Sequence, residues 1–150
     1  MKRAVLFLLV AAVTGGLGAT AGQDDPGKKE LAKFKGAWTY RSIESGGNQV
    51  PAEVFKAVVL TIDGDKFTVK DGDKVVQAGT LKLDPTKTPK AIDAKVSEGQ
   101  NEGTVMLGVY EFDGDEFKAC FDPEGKKRPT AFKSEPESPN FLANYKRSKK

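Results

Sequence analysis

Histidine is absent from the 150 residues, and that absence excludes more chemistry than any other feature of the chain. Without it there is no Ser-His-Asp or Cys-His nucleophile arrangement. The commonest zinc ligand is gone, and so is the usual general base near neutral pH. Cysteine occurs once, as Cys120, so no internal disulfide can form and stability must come from a packed core. Cys120 lies in an apolar run, where a buried, inert thiol is expected rather than an intermolecular bridge. Long helical periodicity is missing as well, which excludes a helical protein.

What is present begins with an export signal. "MKRAVLFLLVAAVTGGLGATA" opens on Lys2 and Arg3, runs apolar from Ala4 to Val13 and closes on Ala19-Thr20-Ala21. Residues 1–21 therefore read as a cleaved signal peptide, with the mature chain starting near Gly22 in a periplasmic or extracellular setting. The apolar run is too short to span a bilayer, and no membrane span is expected. Lys2 and Arg3 leave with the signal, so 24 basic residues become 22 against 21 acidic ones, a net charge of +1. That near balance gives no reason to expect a nucleic-acid partner. Residues 22–30 read as a flexible N-terminal segment, 31–147 as one domain with a modest core, and 148–150 as a basic tail continuing "YKRSKK".

From Gly36 onward, short apolar or alternating runs are broken by Gly, Pro and Asp. Such spacing predicts strands near 37–44, 57–63, 66–70, 74–83, 90–96, 104–112, 115–121 and 140–147, with a short extended piece near 129–133. Eight strands joined mainly by tight connections suit a closed antiparallel barrel. Short helical turns are expected in "PGKKELAKFKG", where Leu31 and Phe34 share a face, and in "VPAEVFKAV", where Pro51 suits a first turn. "KLDPTKTPKAI" and "CFDPEGKKRPTAF" echo one another, which shared turn chemistry explains as well as a duplication does.

Asp-Gly-Asp occurs at 63–65, 71–73 and 113–115. A calcium loop of the EF-hand kind needs a further oxygen ligand at position 5 and glycine at 6. Each copy instead re-enters an apolar run, with Phe67, Val75 or Phe117 at position 5. The triplets suit two-residue hairpin loops, and no metal or other cofactor is expected. With Asp63-Gly64 as the loop, Leu60 faces Phe67 and Val58 faces Val69. With Asp113-Gly114, Tyr110 faces Phe117 and Met106 faces Phe121. A loop at Asp71-Gly72 aligns Phe67 with Val76 but throws Leu81 and Leu83 outward, unless a three-residue loop or a bulge at Gly79 restores them.

"KGAWTYRS" at 35–42 places Gly-x-Trp at the start of the first strand, after a helical turn. This resembles the signature of the lipocalin superfamily. The resemblance implies that Trp38 plugs the closed end of an eight-stranded up-and-down barrel, with a basic residue of the last strand, Arg147, packed over it. Across 31–147, "LAKFKGAW", "PAEVFKAVVLTIDGDKFTVKDGDKVVQAGTLKLDPTKTPKAID", "LGVYEFDGDEFKACF" and "KKRPTAFKSEPES" resemble an uncharacterised lipocalin-like family of exported planctomycete proteins. That likeness implies a fold and no activity. The chain departs from typical lipocalins in having no stapling disulfide and no helix after the last strand.

A non-enzymatic binding barrel, expected as a monomer, is the leading reading. Its ligand is a small hydrophobic molecule lined by Tyr40, Leu60, Phe67, Val69, Met106, Tyr110, Phe117, Phe121, Phe141 and Tyr145, residues that would equally fill a solid core. The other reading is an interaction or inhibitor module that meets an envelope protein through the Pro-stiffened segments "DPTKTPK" (84–90) and "SEPESPN" (134–140). Catalysis is not expected. The paired aspartates sit at turn tips where nothing raises a carboxyl pKa, and no catalytic residue is assigned.

Overall fold

A computed structural model describes residues 26–148. The expected signal peptide, the start of the mature chain and the last two residues of the tail lie outside the described residues. Helix α1 (Pro26–Phe34) is followed by β1 (Gly36–Ser45), the two-residue β2 (Asn48–Gln49) and the single turn α2 (Ala52–Phe55). Then come β3 (Val58–Asp63), β4 (Lys66–Asp71), β5 (Lys74–Asp84), β6 (Lys90–Gly99), β7 (Val105–Asp113), β8 (Glu116–Asp122) and β9 (Phe141–Arg147). Strand β1 pairs with both β3 and β9, so eight antiparallel strands close into a barrel, and β2 is a short extra rung on β1. Among the described residues no helix is long and apolar enough to cross a membrane.

Alternation writes the interior. Leu60 and Ile62 of β3, Phe67 and Val69 of β4, Leu81 and Leu83 of β5, and Ile92, Ala94 and Val96 of β6 point inward. Strands β7 to β9 add Met106, Tyr110, Phe117, Ala119, Phe121, Ala143 and Tyr145. In β1 a bulge at Arg41 shifts the parity. Tyr40 and Ile43 both stay inside, while Arg41 turns outward to meet Glu116 at 2.7 Å.

Each Asp-Gly-Asp triplet is a hairpin corner, one residue later than expected. Asp63 pairs with Lys66, Asp71 with Lys74 and Asp113 with Glu116, so the loop residues are Gly-Asp rather than Asp-Gly. Gly64, Gly72 and Gly114 take φ of 65°, 66° and 65°, which suits a tight hairpin with glycine in first place. The facing pairs become Ile62–Phe67, Leu60–Val69 and Phe112–Phe117. A slip of one loop residue moves each partner by two, so every side chain keeps its face. In the middle hairpin the irregularity is not at Gly79. Val76 is the extra residue, and past it Gln77 pairs with Val69 and Gly79 with Phe67. That bulge returns Leu81 and Leu83 to the interior.

Two further expectations are corrected. Residues 22–30 are not flexible throughout, because helix α1 begins at Pro26, where the missing N–H of proline costs a helix nothing. The piece near 129–133 is not extended into a strand. It lies in the segment between β8 and β9, where Phe132 packs outside the barrel on Val109, Cys120 and Leu142. Cys120 is fully buried there and donates to the carbonyl of Lys133 at 3.3 Å.

The end of the barrel beneath α1 is sealed. Trp38 is fully buried, its ring 4.7 Å from that of Phe117 and nearly perpendicular to it. A helix leaves its last carbonyls unpaired, and here two side chains take them. The Trp38 indole donates to Phe34 O at 2.8 Å. Arg147 donates to Lys33 O at 3.0 Å and Lys35 O at 2.8 Å while its guanidinium carbon stands 4.3 Å from the Trp38 ring. The cation also suits the negative end of the helix dipole. Gly36 is required beside it. Its φ is 126°, and a Cβ there would come within 3.1 Å of the guanidinium.

Candidate functional site

Two ends of one barrel have different chemistry. At the sealed end Glu30, on the buried face of α1, accepts hydrogen bonds from Tyr110 at 2.8 Å and Lys90 at 3.1 Å and pairs with Lys33 at 3.1 Å. Burial alone would raise its pKa; these three partners outweigh that and hold the carboxyl below the usual range. The network pins the helix to the barrel rim. Tyr110, expected to line the interior, spends its hydroxyl here and lies outside the cavity.

The other nine expected lining residues do surround a cavity inside the barrel. Its volume is about 60 Å³, well below the ~300–1,000 Å³ of a typical drug-sized site. Rings fill much of the interior: Phe117 stacks on Tyr145 at 4.4 Å, and Phe121 lies 5.6 Å from Phe141. Ile62, Leu81, Ile92, Ala94 and Gln77 also line it. Ile62 shares its face with Leu60 and was readable by parity. Leu81 was hidden by the bulge, and β6 carries no two-residue loop that would have set its register.

Polar side chains reach this apolar space at Gln77 and at a pair of tyrosines. Tyr40 and Tyr145 face each other across the β1–β9 seam with rings 4.7 Å apart. Burial pushes Tyr40 up to about 12, an effect the neighbouring Tyr145 hydroxyl only partly offsets. Tyr145 is driven well above its ordinary value by burial and by the neighbouring phenol. Both are neutral hydrogen-bonding groups at any physiological pH. No charged side chain lines the cavity among the described residues.

The end opposite α1 carries the connections β1–β3, β4–β5, β6–β7 and β8–β9. Turn α2 belongs to the first of these. Phe55 is buried and faces Tyr40 at 6.2 Å between ring centres, whereas the adjacent Val54 is 63% exposed. The ring of Phe55 is thus the buried part of this turn, at the rim of the unsealed end beside Tyr40. The sequence hinted at a helical turn here, but not at which of its apolar residues faces in.

The two Pro-stiffened segments do not form one surface. Residues 84–90 join β5 to β6 at the sealed end, and 134–140 precede β9 at the other. The second belongs to a long wrap organised by Asp122, whose carboxylate accepts from the backbone N–H groups of Glu124, Lys126 and Lys127 at 2.8–3.0 Å. Burial would raise that carboxyl, but the three backbone donors lower it below its usual range. Arg128 fastens the wrap to Ile92 O, Gly108 O and Asp93. A groove of about 430 Å³ runs along it. Among the described residues no three His, Cys, Asp or Glu side chains gather to hold a metal ion.

Comparison of the chain with protein families, with curated proteins and with solved structures finds no match. The functional reading therefore rests on the residues themselves.

Proposed function

We propose that this protein is an exported, non-catalytic binding barrel that takes a small apolar molecule into its interior from the end opposite α1. The observation that carries it is the apolar cavity inside the barrel, sealed at one end by Trp38 and α1 and flanked at the other by the short turn that buries Phe55 beside Tyr40. The cavity is small because inward rings fill the barrel; a ligand larger than a few atoms must move side chains at the unsealed end, and in this reading Phe55 is one of them. The leader-like N-terminus supports export, and the lack of histidine supports a binding role over catalysis. The barrel acts as a monomer in this reading.

Phe55→Ala removes the ring that a ligand has to move. The variant is expected to bind a fluorescent polyene alcohol about tenfold more tightly than the parent, with Val54→Ala unchanged, in a fluorescence titration. Absence of binding to both parent and Phe55→Ala would sink the reading. A second reading, an interaction module meeting an envelope protein through the open-end wrap, is favoured by the 430 Å³ groove beside Lys126, Lys127 and Pro129. Pull-down from an envelope fraction, with residues 134–140 scrambled as control, separates the two.

A further inference from the structure

We infer that the segment between β8 and β9, residues 123–140, is a latched strap that lifts as a unit from the closed barrel and so controls access to the chain's one thiol, Cys120. The barrel does not need the strap for closure. Strand β8 pairs directly with β9 from Glu116–Lys146 to Phe121–Phe141, and β9 pairs with β1. Nor does the strap share a ladder with the barrel. Among the described residues its backbone–backbone hydrogen bonds stay within 122–140, from Gly125 N–H to Asp122 O and from Ser138 N–H to Glu135 O. A segment held by few contacts opens at a lower free energy than the whole fold does.

Side chains hold the strap down. Arg128 lies on the outer wall, donating to Gly108 O at 2.9 Å and Ile92 O at 3.2 Å, and its guanidinium is 2.7 Å from Asp93 Oδ1 on β6. That oxygen is buried and accepts no well-directed hydrogen bond, so the Arg128 cation is what balances its charge. Lifting Arg128 would strand it, which makes this contact the latch. Farther along, Phe132 covers Val109, Cys120 and Leu142, a small cluster apart from the barrel core. Lys133 O accepts from the Cys120 thiol at 3.3 Å, and Ser134 Oγ accepts from Gly47 N–H at 2.7 Å. Strand β7 separates Asp93 on β6 from Cys120 on β8, and the strap meets both. The state of the latch on one strand therefore governs exposure of the thiol on another.

Iodoacetamide at pH 8 reads the opening, because the Cys120 thiolate must reach the carbon of the reagent to displace iodide. Alkylation of the parent is expected at a rate that changes little with urea until global unfolding begins, since lifting a strap exposes little surface. Arg128→Ala is expected to speed it by about tenfold or more, with the melting temperature lower by only a few degrees. Asp93→Ala should act in the same direction by about threefold, and the double variant should be no faster than Arg128→Ala alone. Arg147→Lys, at the sealed end, is expected to lower the melting temperature and leave the rate unchanged. Alkylation that climbs from the lowest urea with the full slope of global unfolding overturns the inference. Acceleration by Arg147→Lys in proportion to its lost stability does so too, as does a rate in Arg128→Ala equal to that of the parent.

Discussion

Replacing Trp38 by alanine is expected to lower the melting temperature by on the order of 10–20 °C, the largest effect of any single substitution in the barrel. The indole is fully buried between α1 and Phe117, and truncating such a side chain costs about 3–5 kcal/mol. Two further contacts go with it, and one leaves a cost behind. The bond to Phe34 O is lost, the cation loses its ring, and the carbonyl left behind is buried without a donor. Since a domain's whole stability is about 5–15 kcal/mol, the variant retains little margin. Arg147→Lys should cost less, because the cation remains while the fork that spans two backbone carbonyls is gone. Thermal unfolding followed by far-ultraviolet circular dichroism measures both. A Trp38→Ala midpoint within a few degrees of the parent would show that the seal is not where the stability lies.

Raising the pH from 10 to 12 is expected to unfold the protein cooperatively. All three tyrosines hold their protons more tightly in the fold than in the free chain. Burial is the main cause for each. Tyr110 is raised further by its hydrogen bond to Glu30 and that residue's charge, and Tyr145 by Tyr40. Below pH 10 the phenols are protonated in both states and contribute no slope. Above it the unfolded chain releases protons that the folded barrel keeps, so stability falls as pH rises. The slope approaches ~1.4 kcal/mol per pH unit for each phenol, or about 4 for the three. Tyr40 is the first able to ionise in place, near 12. Phenolate absorbance should therefore rise in one step with the change in Trp38 emission. Independent titration of the phenols near pH 10, with Trp38 emission unchanged, would contradict the buried hydroxyl pair. Between pH 6 and 8 no such slope is expected, because the chain has no histidine; above that, burial of the Cys120 thiol raises its pKa and adds a smaller loss of stability before the phenols titrate.

The barrel was legible because its signals are local. Alternation set the face of each residue in β3, β4, β7, β8 and β9, and glycine between aspartates marked each corner. The one-residue error in all three corners did no harm to face assignments, since hairpin register moves partners in steps of two. Parity failed where the backbone itself departs from period two. Val76 shifts the phase of β5, and nothing in "KVVQAGT" distinguishes a bulge there from one at Gly79. Polar roles were less legible than apolar ones. Tyr110 has the same pattern as the lining aromatics, yet it is diverted by Glu30, a residue 80 positions away.

Composition and pattern alone determined that this chain makes a closed antiparallel sheet with aromatic contents, because alternation and turn chemistry act between near neighbours. Only the tertiary structure decided how full the interior is, that Trp38 and α1 seal one end, and that Tyr40 meets Tyr145. Those outcomes depend on volumes and on contacts between residues distant in the chain, such as Tyr40 and Tyr145 across the closing seam. No local periodicity encodes them.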